Sequence, residues 1–372
     1  MSFLDQLDNS IGGALPSQLV TELLEQGIIH TPVPLAKNQV QPASIDLRLG
    51  DVAWRVRASF LPGKGATVQD CIDRLGMHRM DLGDGAVLER DCVYIVPLIE
   101  SLSLPKNLRA TANPKSSTGR LDVFTRLITD GAVEFDQVAD GYAGPLYAEI
   151  SPRTFSVLVR TGSRLSQLRM RCGQREWGDE LHVSLYRSHK LVDVPLNERD
   201  IRNGVPVSVD LEGNVSAGLV GYRAKRHAGL IDVDKVDYYD VEEFWAPMES
   251  GRSQGLILDP GEFYILVSKE SVQIPTDYAA EMVAYDTLVG EFRVHYAGFF
   301  DPGFGVADAG GGGSRAVLEV RSFEVPFLIE HGQRVGRLRY EPMVESPALV
   351  YGQSLNSNYQ AQGLKLSKHF KS

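Results

Sequence analysis

Cysteine is scarce in this sequence. Its three copies, Cys71, Cys92 and Cys172, are an odd number and none stands in a Cys-x-x-Cys pair. That argues against a disulfide framework and a structural zinc site, and fits inert thiols in a reducing compartment. Long apolar runs are missing too: nothing approaches the roughly 18 residues a membrane-spanning helix needs. The start, Met1-Ser2-Phe3-Leu4-Asp5, lacks the basic-then-apolar build of a signal peptide. The expectation is a cytoplasmic protein with no membrane partner. Basic residues are outnumbered, 38 Lys and Arg against 48 Asp and Glu. A net charge of -10 speaks against nucleic acid as a partner, because phosphate backbones are held by broad basic surfaces. A small anion can still be held by a local cluster of Arg and Lys.

What is present is a repeat. Glu100-Ser101 followed by Pro105 recurs as Glu270-Ser271 followed by Pro275, an offset of 170 residues. Tyr94-Ile95, Glu149, Gly162, Arg164 and Leu168-Arg169 return at the same offset as Tyr264-Ile265, Glu319, Gly332, Arg334 and Leu338-Arg339. Between these blocks the register slips and recovers. The first half has the longer connection before Ala139-Asp140-Gly141-Tyr142, and the second has Asp301-Pro302-Gly303-Phe304 followed by the glycine run Gly310 to Gly313. With 372 residues, 43% of them hydrophobic, the chain is long enough for two cores. The expected domains are 1-195 and 196-372, meeting in the polar stretch Asn197-Glu198-Arg199-Asp200.

Each copy reads as mainly β. Val93-Tyr94-Ile95-Val96, Phe263-Tyr264-Ile265-Leu266-Val267 and Phe327-Leu328-Ile329 are short runs rich in β-branched and aromatic residues, bounded by turn formers. Many such strands argue for a sandwich or jelly roll. A helix is expected over Pro16 to Leu24, capped by Ser17, with Leu19, Leu23 and Leu24 on one face and Gly27 ending it.

Two features could carry chemistry. Pro114-Lys115-Ser116-Ser117-Thr118-Gly119-Arg120 concentrates hydroxyls and cations just after a strand, the make-up of an anion cradle. A solvated turn capping a helix reads equally well. Glu149 sits inside the apolar run Pro145-Leu146-Tyr147-Ala148-Glu149-Ile150. A carboxylate there either faces a cleft as a general base or points outward by simple strand alternation. His227, His295 and His331 are scattered and read as surface or core residues. The glycine run lacks the Lys and Ser that a phosphate loop requires, and reads as a flexible loop.

Five separated signals make the resemblance specific: Gln41-Pro42-Ala43-Ser44-Ile45-Asp46-Leu47-Arg48-Leu49-Gly50; Glu100 to Pro105; Ser116-Ser117-x-x-Arg120; Asp140-Gly141-Tyr142-Ala143-Gly144; and Glu149. In this order the first half resembles dCTP deaminases of the dCTP deaminase and dUTPase superfamily. The second half resembles the family through Val207-Ser208-Val209-Asp210-Leu211, Leu258-Asp259-Pro260-Gly261-Glu262, Asp301 to Phe304, Glu319 and the end of the chain.

The resemblance implies two tandem distorted jelly rolls of the dUTPase-like β-clip type. It implies hydrolytic deamination of dCTP to dUTP and ammonia, with Glu149 as general base and Ser116 positioning the water. Ser117 and Arg120 fall on nucleotide-site positions. Lys115 stands where the family usually has Arg, and so loses the bidentate fork. Asp136 or Asp140 would face the deoxyribose, beside Tyr142. Mg2+ is expected as a counterion on the triphosphate, with no metal ligand from the protein. Zinc is not expected, because no His or Cys beside a Glu is followed by Pro-Cys-x-x-Cys.

In the second half the cradle position holds Tyr285-Asp286-Thr287-Leu288-Val289-Gly290, without the paired serines or the arginine. Catalysis is therefore expected of the first half. Tyr351, Tyr359 and Gln362, in a segment resembling the family's C-terminal lid, would close over the nucleotide, and removal of everything from Tyr351 onward should cripple turnover. A solvated tail is the competing reading. Family members form trimers with sites between subunits, so a homo-oligomer is expected, three double chains giving six fold units. The competing activities are release of pyrophosphate from dUTP, alone or together with deamination, and nucleotide binding without catalysis.

Overall fold

The protein, seen in a computed structural model, is described over residues 12–173, 176–213, 218–251, 255–284, 292–295, 298–306, 313–352 and 363–371. It divides into two compact units. The first is Met1–Arg175 together with Gly229–Asp237 and Met343–Leu349, and the second is Glu176–Ala228, Tyr238–Pro342 and Val350–Ser372. The division falls some twenty residues before the expected boundary at 195. The reason is packing: the helix Asp179–Ser188 and the segment after it put Leu185, Leu191 and Val192 into the core of the second unit.

Both units are mainly β, as the short apolar runs indicate. In the first, one sheet runs in the order Gln137–Val138, Leu108–Pro114, Ser166–Gly173, Ser44–Leu47, Val40–Gln41. The other runs Val123–Thr129, Ala143–Pro152, Val93–Ser103, Val52–Val56, Gly76–Asp81. A ribbon of Ala86–Leu88 and Val157–Val159 is extended by Ile231–Asp232, which pairs in parallel with Val157–Val159. In the second unit, Val205–Ser208, Arg334–Pro342, Tyr278–Ala284 and Phe299–Phe300 form one sheet. Trp245–Glu249, Leu219–Ala224, Phe263–Val272, Ser314–Ser322 and Phe292–His295 form the other. Its core takes Val205, Val207 and Leu338 from the first of these sheets and Tyr264, Leu266 and Leu318 from the second. Alternation along each strand produces this arrangement, every second side chain facing inward. Each unit is thus a distorted jelly roll.

The repeat is exact in sheet register. Glu149 faces Ile95, and Glu319 faces Ile265; Leu168 faces Ala112, and Leu338 faces Met282. For the motif strand the offset shortens to 160. Arg48 N donates to Glu100 Oε2 at 2.8 Å, and Ser208 N donates to Glu270 Oε2 at the same distance. Ser208 is therefore the counterpart of Arg48, and Asp210 is not the counterpart of Asp46; Pro206 is.

The expected helix spans Ser17–Glu25, with Leu19, Val20 and Leu23 buried. Pro16 occupies the cap position and Ser17 is the first helical residue, so the hydroxyl makes no cap bond. Proline suits that boundary because it has no N–H to leave unpaired. Gly27 takes φ +67° after the last turn, a left-handed conformation that glycine adopts without strain.

Candidate active site

Glu149 lies on Ala143–Pro152 between two neighbours in one sheet, opposite Ile95 on one side and Arg126 on the other. Its residue is 1% exposed, so the outward-facing reading is excluded within the unit. Arg126 donates to a single carboxylate oxygen, Nε to Oε1 at 3.1 Å and Nη2 to Oε1 at 2.5 Å. Glu149 Oε2 is buried without a hydrogen-bond partner among the described residues. An uncompensated buried acceptor costs about 1–3 kcal/mol, so its retention needs a reason. The guanidinium is itself fixed: it lies 3.6 Å from the Phe135 ring centroid and 4.8 Å from that of Phe124, and Nη2 also donates to Ser59 Oγ at 2.8 Å. Sequence reasoning missed Arg126. The signal was available, since it is a charged residue inside the apolar run Val123-Phe124-Thr125-Arg126-Leu127-Ile128, the same feature that marked Glu149.

The hydroxyl cluster forms a single helical turn, Ser116–Gly119, wedged between the strands Leu108–Pro114 and Val123–Thr129. Ser117 and Arg120 are buried, Arg120 to 3% exposure, and Ser116 is half-buried. The tight turn is closed by Arg120 N donating to Ser116 O at 3.1 Å. Lys115 does not point freely toward an anion. Its ammonium is ion-paired with buried Asp46, which Arg164 also approaches at 3.3 Å. Asp46 and Arg48 were noted only as parts of a motif, yet both are structural ions. Arg48 donates through Nε to Glu100 Oε1 at 2.7 Å, through Nη1 to Pro34 O and through Nη2 to Thr31 Oγ1.

The two aspartates separate clearly. Asp136, at φ 64°, accepts from Leu127 N at 2.7 Å, so its carboxylate stitches the loop to the neighbouring strand. Asp140 lies 4.0 Å from Arg109 Nη1 in a long ion pair. Tyr142 donates its hydroxyl to Pro145 O at 2.6 Å, and burial pushes its pKa up to about 12. That hydroxyl therefore pins a turn as a neutral donor.

Of the three C-terminal residues expected to close over the nucleotide, Tyr351 falls among the described residues. Tyr351 lies against the core of the second unit, its ring 5.5 Å from that of Phe304, and its N–H donates to Pro302 O. Tyr359 and Gln362 lie outside the described residues. Beyond them the chain is docked: Leu366, His369 and Phe370 are buried, and Phe370 meets Phe244 at 5.5 Å and Trp245 at 5.9 Å. A solvated tail is thereby corrected for residues 366–370, because an aromatic cluster holds them. In the second unit Glu319 faces Ile265 and His295 across the sheet, so His295 occupies the register position of Arg126. Among the described residues no three His, Cys, Asp or Glu side chains cluster as metal ligands would.

By fold the chain is a tandem of two β-sandwich units, the first carrying a buried carboxylate held on one oxygen only. Comparison with known proteins narrows this. A family profile described as "2'-deoxycytidine 5'-triphosphate deaminase (DCD) N-terminal domain" matches residues 11–174, and one described as the C-terminal domain of the same enzyme matches 178–370. A crystal structure of 2'-deoxycytidine 5'-triphosphate deaminase from Agrobacterium tumefaciens is 54% identical, with TM-score 0.85 over 91% of this chain and 99% of that one. A dCTP deaminase of Halorubrum lacusprofundi is 30% identical over 41% of this chain and 73% of its own length. A relative named "dCTP deaminase, dUMP-forming" from Pseudarthrobacter chlorophenolicus is 30% identical over 45% of this chain and 90% of its own length. This chain belongs to the dCTP deaminase family.

Proposed function

We propose that the protein hydrolytically deaminates dCTP to dUTP and ammonia, with Glu149 as general base. The observation that carries this is the half-held carboxylate: Arg126 fixes Oε1, and Oε2 is left buried and open. A base so arranged has a fixed orientation and one unused acceptor for a proton of the attacking water. Water adds through oxygen to carbon 4 as the C4=N3 double bond opens and N3 gains a proton, Glu149 passes a water proton to the amino group, and the C4–N bond breaks as ammonia leaves and the C4 carbonyl forms. Atoms and charge balance without an oxidant or reductant. Arg126 is the positioning residue for that base.

Ser116 would orient the water. Ser117 and Arg120, on the same turn, would serve the nucleotide, and Asp136 or Asp140 the deoxyribose, Asp136 with one oxygen already accepting from Leu127 N. Mg2+ enters with the substrate, on its triphosphate oxygens. The second repeat lacks the serines and the arginine and is read as catalytically silent. A homo-oligomer, three double chains bringing six fold units together, would complete the sites. A cytoplasmic setting fits this chemistry; among the described residues no helix is long and apolar enough to cross a membrane.

A second reading is that pyrophosphate is also released, yielding dUMP. It is favoured by the relative whose name carries that product. Purified protein with dCTP and magnesium should release ammonia, and Glu149→Gln should lower the rate by about 10²–10⁴-fold. Ammonia without pyrophosphate supports the deaminase; stoichiometric pyrophosphate moves the reading to the dUMP-forming reaction. Nucleotide binding with neither product would replace both with a binding protein.

A further inference from the structure

In the second unit a cleft of about 310 Å³ opens beside the motif strand, lined among others by Val194, Asn197, Ser208, Lys269, Glu270 and Arg334. Its position in the repeat explains it. In the first unit the equivalent space is occupied by the Arg48 guanidinium, bonded to Glu100, Pro34 O and Thr31 Oγ1. Each of those partners has a positional counterpart on the cleft wall, but only the carboxylate acceptor is kept, since Val194 carries no hydroxyl and Asn197 O already accepts from Asp200 N. Glu270 repeats Glu100 at the 170 offset, and Ser208 repeats Arg48 by the shared backbone bond to that carboxylate. Ile29 pairs with Leu102 as Val192 does with Val272. Thr31 therefore corresponds to Val194, and Pro34, three residues on, to Asn197. By register the cleft lies where the first unit seats the Arg48 guanidinium.

The carboxylate left behind is under-bonded relative to its twin. Glu100 accepts three bonds, from Gln39 Nε2, Arg48 Nε and Arg48 N. Glu270 accepts two, both from Ser208. It is 5% exposed, and such a carboxylate gains most from a planar, charge-assisted donor pair. The volume exceeds what a guanidinium alone fills and falls at the lower end for small-molecule sites. At the rim Lys269 is exposed and no side chain engages it among the described residues, whereas Arg334 is paired with Asp200 at 2.6 Å. A bare cation would be repelled by Lys269. A guanidino amino acid stays a cation overall but brings a carboxylate that can meet the Lys269 ammonium.

We propose that this cleft binds a free guanidino amino acid of the L-arginine type, its guanidinium on Glu270 and its carboxylate toward Lys269. The site is separate from Glu149 and does not depend on the deaminase reading. Calorimetric titration of the full chain with L-arginine should show saturable one-site binding. Citrulline, whose urea group cannot carry the charge, should bind at least tenfold more weakly. Lys269→Ala, a surface change that leaves the fold intact, should weaken L-arginine at least fivefold while strengthening argininamide, which offers Lys269 no carboxylate. Ser208→Arg should abolish binding by restoring the internal guanidinium, with deaminase activity retained. Absence of saturable binding up to 10-millimolar-order L-arginine (about 10 mM) in folded protein overturns the proposal. So does equal affinity for citrulline, or equal L-arginine affinity in Lys269→Ala.

Discussion

Arg126 places two N–H groups on one oxygen of Glu149 and none on the other. The arrangement is directional. An arginine that bridged both oxygens would satisfy the carboxylate and silence it as a base, whereas this one orients it and leaves Oε2 open. Arg126→Gln should lower kcat by about 10–100-fold with little change in KM, because what is lost is orientation and not substrate contact. Stability should fall by about 1–3 kcal/mol in urea titration. The double variant with Glu149→Gln should be less destabilised than the sum of the singles, and strict additivity would remove the coupling.

Lys115 separates a structural role from a binding role. Its ammonium is committed to Asp46, a residue 1% exposed that also draws Arg164. Lys115→Ala should cost about 1–3 kcal/mol of stability, yet alter KM for dCTP less than about threefold. A large KM effect with unchanged stability would restore the phosphate contact that the motif suggests.

His182 makes the second unit sensitive to acid. Its Nδ1 lies 2.9 Å from Gly178 O and must donate, so Nε2 is the acceptor for Tyr340 N at 3.0 Å. Protonation would put a donor against a donor, and burial holds the imidazole below its usual pKa. The folded pKa lies below the unfolded value of about 6.5. The stabilisation is therefore present above about pH 6.5 and is lost as pH falls below it. Urea stability measured from pH 8 to pH 5 should decline, and His182→Gln, which keeps an acceptor for Tyr340, should flatten that decline. An identical slope in the variant would assign it to other groups.

The lid hypothesis needs a gentler test than truncation. Cutting at Tyr351 also removes Phe370, which packs on Phe244 and Trp245, and that loss alone should unfold part of the second unit. Phe370→Ala is expected to cost about 3–5 kcal/mol. Tyr359→Ala and Gln362→Ala should lower turnover while the melting temperature holds. Full turnover in both would leave that segment without a role in closure.

The repeat and the strands were legible because burial imposes alternation on the chain, and because Glu100 and Glu270 must each meet a backbone N–H at the same sheet position. Glu149 was legible as a charge inside an otherwise apolar run. The partners of the charges were not. Arg126 meets Glu149, and Lys115 meets Asp46, by side-chain reach between separate segments, which spacing along one strand does not encode. The domain boundary was misplaced because polarity near 197 marks a surface stretch, while Leu185, Leu191 and Val192 have already entered the second core.

The parallel strand Ile231–Asp232 has a consequence for how such a protein can change over generations. Residues from the stretch that matches the C-terminal family domain complete a sheet of the first unit, where Arg160 grips Asp232 through two nitrogens at 2.8 and 2.9 Å. Deleting the second copy would expose a raw strand edge and strand a cation on the first. Even if its own site were inactive, the second copy would be held in the chain as the donor of that edge.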